Sequence, residues 1–105
     1  MRREYQQITQ EEAKEMMDSQ EVIILDVREQ DEYDSGHIPG AVLLPVGTID
    51  ETTAAEVISE KDSSVLVYCR SGNRSKTASS TLAELGYTNI YEFGGINTWH
   101  YETEP

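Results

Sequence analysis

The sequence predicts an α/β fold in which a central parallel β-sheet of about five short strands is flanked by helices on both faces. Short apolar runs such as Val22–Leu25 and Val65–Tyr68 lack alternating polar residues, which is typical of strands buried on both faces. Segments with helical patterns stand between these runs. Strands that alternate with helices favour a parallel sheet covered by two helical layers.

The first half of the chain contributes three of the strands. The segment Thr9–Glu12 matches a capping box, with Thr9 as the N-cap residue, and predicts a helix to about Asp18. The other predictions for this half are an edge strand over Tyr5–Ile8, a helical turn within Arg28–Asp34, a turn at Ile38–Gly40, a strand over Ala41–Leu44 and a helix over Glu51–Ser59 capped by Asp50.

The second half contributes the remaining two strands. After the run Val65–Tyr68, a helix is predicted over Ser75–Leu85, with Gly86 as the residue that follows its last turn. A last strand over Asn89–Phe93 follows. The predictions then end with a turn at Gly94–Gly95 and a short helix over Ile96–Tyr101.

Length and composition indicate one domain, residues 1–105, without metal or cofactor. A single cysteine cannot form an internal disulfide or a cysteine-pair metal site, and His37 and His100 are not at zinc-ligand spacing. A free thiol is best kept in a reducing compartment. Because Met1–Gln7 has no apolar region after its charges and no run approaches membrane-spanning length, the expected location is the cytoplasm.

The net charge of −12 argues against nucleic acids and anionic membrane surfaces as partners. The charge is unevenly spread, since residues 1–64 hold 16 acidic and 5 basic side chains. Residues 65–90 hold Arg70, Arg74 and Lys76 against Glu84, a local net charge of +2. We interpret the acidic side chains as a solvated surface. A monomer is expected, because no apolar stripe remains on the surface after the core is assigned.

The most informative residue is Cys69, which ends an apolar run and opens a short loop before a helix. Ligands of parallel α/β sheets bind at the carboxyl ends of the strands. The positive end of the following helix should lower the pKa of a thiol placed there. The sequence therefore predicts a sulfur nucleophile for an anionic or sulfur-bearing substrate.

The length of the loop separates two reaction classes. Four residues stand between Cys69 and Arg74, whereas cysteine phosphatases have five between cysteine and arginine. A tighter ring of amides suits one extra sulfur atom better than a tetrahedral oxyanion. A phosphatase or arsenate reductase is thus a weaker alternative. A non-catalytic binding or regulatory module is another, although the presence of Cys69, Arg70 and Arg74 argues against it.

The segment Cys69–Ser75 resembles the active-site loop of rhodanese-domain sulfurtransferases. The resemblance spans about residues 5–101. Three further stretches resemble the other signature segments of that family, namely Asp26–Glu29 with Glu32 and Tyr33, Gly36–Ala41, and Gly94–Ile96 with Trp99. The resemblance implies a single rhodanese-like domain in which Cys69 takes a sulfane sulfur as a persulfide. The resemblance also implies that the donor is thiosulfate or another persulfide donor and that the acceptor is a thiol or cyanide.

The expected roles of the site residues follow from this resemblance and from their chemistry. Cys69 is the catalytic nucleophile, and no separate general base is expected. Ser75 either caps the helix or donates its hydroxyl to the sulfur. Asp26, Arg28 and His37 are expected to support the loop scaffold. Small sulfur-containing anions and thiols are the expected partners, with a protein sulfur carrier as a further candidate. The expected substrate-binding residues are Arg70, Ser71, Gly72, Asn73, Arg74 and Ser75.

Overall fold

The computed structural model describes residues 4–105 and contains a five-stranded parallel sheet in the order β1-β5-β4-β2-β3. The predicted fold class is therefore confirmed; residues 1–3 of the predicted domain lie outside the described residues. The strands are β1 (Gln6–Gln7), β2 (Ile23–Asp26), β3 (Val42–Leu43), β4 (Ser64–Cys69) and β5 (Asn89–Gly95).

Helices connect the strands and cover both faces of the sheet. Within residues 4–105, no helix combines the length and the apolar character needed to cross a bilayer. The helices are α1 (Gln10–Ser19), α2 (Gln30–Ser35), α3 (Glu51–Val57) and α4 (Asn73–Glu84). Single 3-10 turns lie between β3 and α3 at Val46–Thr48 and after β5 at Ile96–Thr98.

Two apolar cores lie on opposite faces of the sheet because successive side chains of a strand point to opposite sides. On one face, Val65 and Val67 of β4 pack with Leu82 of α4. On the other, Leu66 and Tyr68 of β4 pack with residues of α1 and β5 and with Trp99. The central strand β4 thus contributes to both cores, which explains why its sequence has no polar alternation.

The capping predictions are confirmed for α1 and α3. The Thr9 hydroxyl accepts the backbone N–H of Glu12 at 3.0 Å, and the Glu12 carboxylate accepts the N–H of Thr9 at 2.9 Å. Asp50 accepts the backbone N–H of Thr53 at 2.8 Å. These side chains satisfy N–H groups that a helix leaves without partners in its first turn.

Helix α4 begins two residues before the predicted start. Its N-cap residue is Gly72, whose φ of 105° lies in the left-handed region that glycine adopts readily. This turn brings Asn73 and Arg74 into the first helical turn. The capping role considered for Ser75 is therefore wrong, because Ser75 lies inside the helix.

The predictions for the last third also need correction. The turn expected at Gly94–Gly95 is part of β5, where Gly95 pairs with Cys69. From the pair Val67–Glu92 to the pair Cys69–Gly95, the chain advances two residues on β4 but three on β5. The extra residue forms a β-bulge, which increases the local twist of the strands. The helix expected over Ile96–Tyr101 is only the 3-10 turn at Ile96–Thr98, because the chain then turns to place Trp99 in the core.

A buried hydroxyl in α4 gives a first testable prediction. Within residues 4–105, the Ser79 hydroxyl is buried without a hydrogen-bond partner. Ser79→Ala removes that unsatisfied group and should raise the free energy of unfolding by about 1 kcal/mol. Thermal unfolding should show a melting temperature higher by roughly 4–8 °C.

The matched control is Ser80→Ala, because Ser80 lies in the same helix and is exposed. It reports the helix propensity gained by alanine alone. The Ser79 variant should exceed this control. Equal or lower stability of Ser79→Ala would contradict the assignment of an unsatisfied hydroxyl.

Candidate active site

The candidate nucleophile lies at the carboxyl end of β4, below the loop that leads into α4. Cys69 is only 1% exposed. Its sulfur accepts the backbone N–H of Gly72 at 3.1 Å and lies 3.4 Å from the Ser75 hydroxyl oxygen. The loop therefore wraps closely around the sulfur atom.

Two opposing effects act on the pKa of the Cys69 thiol. Burial raises it, because removal from water disfavours the charged thiolate. Hydrogen bonding with the Ser75 side chain and hydrogen bonds from the backbone N–H groups of Ser75, Gly72 and Ser71 lower it. The hydrogen bonds prevail, so the pKa lies below its ordinary value. The site is built to hold a sulfur anion.

Backbone contact between two segments shapes this loop. Gly95, at the end of β5, faces the main chain of Arg70 so closely that a Cβ atom there would overlap the Arg70 carbonyl oxygen. The same carbonyl accepts the backbone N–H of Asn97 at 3.1 Å. A glycine is required at position 95 for space, since its backbone conformation is ordinary extended chain.

The two loop arginines lie in different environments. Arg70 is exposed. Arg74 donates to both carboxylate oxygens of Glu32, at 2.7 and 2.9 Å. This hydrogen-bonded pair lowers the pKa of Glu32 to about 2 and raises that of Arg74. Arg74 is thereby fixed at the loop by a residue 42 positions earlier in the chain.

The predicted support residues form two separate groups. Asp26 is fully buried and accepts three side-chain hydrogen bonds from Arg28, which also donates to the Gly36 carbonyl oxygen. The Tyr68 hydroxyl donates to Asp26 at 2.8 Å, and burial raises the Tyr68 pKa. His37 stacks on Tyr33, with ring centroids 3.8 Å apart.

His37 also joins the last residues of the chain to the sheet region. Its backbone forms an antiparallel bridge with Glu104, with two hydrogen bonds of 2.8 Å. Its Nε2 lies 3.4 Å from a Glu104 carboxylate oxygen. These contacts place His37 in the scaffold, as a packing and bridging residue.

The structure brings only some of the predicted site residues to the sulfur. Gly72 and Ser75 contact it directly, and Ser71 acts on it through its backbone N–H. The side-chain hydrogen bonds of Cys69 within residues 4–105 go to Gly72 and Ser75 and not to the support residues. The side chains exposed at the loop are those of Arg70, Ser71 and Asn73.

One residue at the site is missing from the sequence predictions. Glu92 of β5 is only 3% exposed, and its Oε2 accepts the Ser75 hydroxyl and the backbone N–H of Gly94. A signal for it does exist in the sequence. Glu92 lies two residues after Ile90 in β5, so both side chains point to the same face of the sheet. A charged residue at such a buried position is a signal for a functional or strongly hydrogen-bonded side chain.

The arrangement offers a buried nucleophile, converging N–H donors and a nearby fixed positive charge. Comparison with known proteins agrees with this chemistry. The family model described as "Rhodanese-like domain" matches residues 9–102. Within this range lie the end of β4, the loop after it, and Gly72 and Ser75, which contact the Cys69 sulfur.

Individual relatives match over most of their length. Thiosulfate sulfurtransferase GlpE of Coxiella burnetii is 35% identical, over 94% of this chain and 92% of that protein. Thiosulfate sulfurtransferase PspE of Escherichia coli is 36% identical, over 69% of this chain and 68% of that protein. The solution structure of a rhodanese-like domain from Anabaena is 27% identical with a TM-score of 0.82, covering 93% of this chain and 77% of that one.

Proposed function

Because the chain belongs to the rhodanese-like domain family, we propose that it is a sulfurtransferase that carries a sulfane sulfur as a persulfide on Cys69. The observation that carries the proposal is the buried thiol with converging hydrogen-bond donors from Gly72, Ser71 and Ser75. Such donors stabilise a negative sulfur, whether it is the thiolate or the outer atom of a persulfide. Relatives named thiosulfate sulfurtransferase support the reaction class.

The first half-reaction loads the sulfur. The Cys69 thiolate attacks the outer sulfur of thiosulfate and forms a new S–S bond. The original S–S bond of thiosulfate breaks, and its electron pair leaves with sulfite. The negative outer sulfur of the persulfide then lies toward the loop N–H groups and the positive end of α4.

The second half-reaction returns the enzyme to its starting state. A thiolate or cyanide attacks the outer sulfur of the persulfide, and the S–S bond breaks. The electron pair of that bond returns to Cys69 as a thiolate, which the same N–H groups hold. Sulfur-containing anions are thus the small-molecule partners, and a protein sulfur carrier with a reactive thiol is a candidate acceptor. The free thiol suits a reducing compartment such as the cytoplasm.

The discriminating experiment is intact-protein mass spectrometry after incubation with thiosulfate, followed by cyanide. The expected result is the gain of one sulfur atom, its loss on addition of cyanide, and neither change in Cys69→Ala. Absence of added sulfur from both thiosulfate and polysulfide would reject the sulfurtransferase. Turnover of an aryl phosphate would instead indicate phosphatase chemistry.

Arg74 gives a further prediction, about donor binding. Its guanidinium is held at the loop by Glu32 and should attract the dianionic donor. Arg74→Ala should raise the KM for thiosulfate about tenfold, as expected for a lost hydrogen bond to a charged group. Steady-state kinetics with cyanide as acceptor measure this change.

Arg74→Lys is the matched control, because it keeps the charge but not the paired contact with Glu32. Its KM should lie between those of the wild type and of Arg74→Ala. A KM for thiosulfate that is unchanged in the alanine variant would remove Arg74 from donor binding.

A further inference from the structure

An open groove lies on the face of the sheet that α1 covers. Its volume is about 880 Å³, and its walls come from the second half of α1, the turn at residues 38–40 and residues 99–102. Val22 and Ile24, at the start of β2, also line this groove, which we call the α1 groove. Cys69 lies at the carboxyl end of β4, whereas the start of β2 lies at the opposite edge of the parallel sheet. The α1 groove is therefore separate from the candidate active site.

The deepest part of the α1 groove is apolar. Ile24 and Ile38 are buried and belong to the same core as Trp99. The Tyr101 ring contacts the Trp99 ring edge-on, with centroids 4.9 Å apart. The indole N–H of Trp99 donates to the backbone carbonyl of Glu102 at 3.1 Å, which fixes this wall of the groove. Such a surface accommodates an aliphatic side chain and offers aromatic rings to a cation.

The outer edge of the α1 groove is negative. Glu21 and Glu102 are exposed, and within residues 4–105 neither carboxylate forms an ion pair. The carboxyl end of α1 adds a partial negative charge, and its last turn has no basic residue. The charge of Lys14 does not compensate for these groups, because its ammonium is paired with Asp18. Unpaired negative charge thus lies beside an apolar surface.

One cation of the chain itself shows how the groove receives a positive charge. The Lys14 ammonium lies 5.7 Å from the centroid of the Tyr101 ring, and it donates to both carboxylate oxygens of Asp18 at 2.8 Å. An aromatic ring and a carboxylate together hold an ammonium group there. Glu21 and Glu102 leave equivalent charges for cations from another molecule.

We propose that the α1 groove binds an exposed segment of a partner protein in which arginine or lysine side chains flank an apolar side chain. The apolar side chain packs on Ile24, Ile38 and Trp99, and the cations lie toward Glu21 and Glu102. An open groove suits a chain segment, whereas small-molecule sites enclose most of their ligand. A second copy of the chain is a poor occupant, because two molecules with a net charge of −12 repel each other.

Fluorescence of Trp99 tests the proposal, because Trp99 is the single tryptophan of the sequence and lines the groove. The probe is the blocked peptide acetyl-Arg-Leu-Arg-Leu-Arg-amide, which should change the emission in a saturable way with a Kd below about 1 mM. The same peptide with glutamate in place of arginine should leave the emission unchanged. Argininamide should bind at least about tenfold more weakly, because it has no apolar side chain to bury.

Paired variants show where the peptide binds. Glu21→Gln combined with Glu102→Gln should raise the Kd about fivefold, as expected for the loss of two exposed charge pairs. The matched control combines Glu56→Gln with Glu84→Gln, which changes the net charge equally. These exposed acids lie on α3 and α4, the helices that pack on the opposite face of the sheet. The control should raise the Kd less than about twofold, because salt screens distant charges.

Three results would overturn the proposal: an unchanged emission with the arginine peptide, an equal response to the glutamate peptide, or equal weakening by both paired variants. Equal affinity for argininamide would also overturn it, since the groove would then bind a small organic cation. The fluorescence titration needs no sulfur transfer. Failure of the proposed function would consequently be seen separately, in the persulfide mass test on Cys69.

Discussion

Cys69→Ala is expected to abolish sulfur transfer from thiosulfate to cyanide, with a fall in rate of at least about a thousandfold. The Cys69 sulfur lies at the centre of the N–H donors, and it belongs to the single cysteine of the sequence, the residue type that can form and break the S–S bonds. Steady-state thiocyanate formation and the persulfide mass test report the loss. A rate in the variant that is less than about a thousandfold below that of the wild type would reject Cys69 as the nucleophile.

The fold should survive this substitution. Cys69 is buried in the same apolar core as Val65, Val67 and Leu82, so loss of its sulfur leaves a small cavity and a modest destabilisation of about 1 kcal/mol. Circular dichroism and thermal unfolding verify this. Cys69→Ser is the matched variant, because it keeps a polar atom near Gly72 and Ser75 but lacks a sulfur nucleophile. A non-catalytic binding module would keep its partner affinity in both variants.

Asp26→Ala should produce the largest loss of stability, about 3–5 kcal/mol of unfolding free energy. Asp26 is fully buried, and the side chain of its partner Arg28 is only 6% exposed. Removal of the carboxylate leaves a buried positive charge without its partner and removes the acceptor of the Tyr68 hydroxyl. For a domain whose total stability is about 5–15 kcal/mol, this is a large share.

Urea unfolding of single and double variants measures that loss. Asp26→Leu combined with Arg28→Met removes both charges and should recover much of the stability, because well-packed apolar side chains replace the pair. Recovery should be incomplete, since Tyr68 and the Gly36 carbonyl oxygen still lack their partners. If Asp26→Ala loses less than about 1 kcal/mol, the buried pair does not stabilise the fold as the contacts indicate.

Local patterns predicted the strands and the helix caps well. The run Val65–Tyr68 is apolar because β4 lies at the centre of the sheet. Its burial on both faces can be predicted from these residues alone, without knowledge of the strands beside it. The capping pairs are equally local, since Thr9 and Asp50 each contact a residue three positions later. Such features depend on a few consecutive residues.

Other parts of the site depend on residues that are distant in the sequence. The start of α4 follows from the left-handed turn at Gly72, next to the chain segment around Gly94. Arg74 meets Glu32 across 42 positions, and Ser75 meets Glu92 across 17. Sequence spacing carries no information on these pairings, because the packing of α2, α4 and β5 around one loop decides them.

The depth of the Cys69 sulfur has a consequence for oxidation. A disulfide between two copies of the chain would need their Cα atoms within about 7 Å of each other. Cys69 ends the central strand of the sheet, is 1% exposed and is overlain by the backbone of its own loop, so two such thiols cannot meet. The burial of this sulfur therefore protects the chain from covalent dimerisation under oxidising conditions.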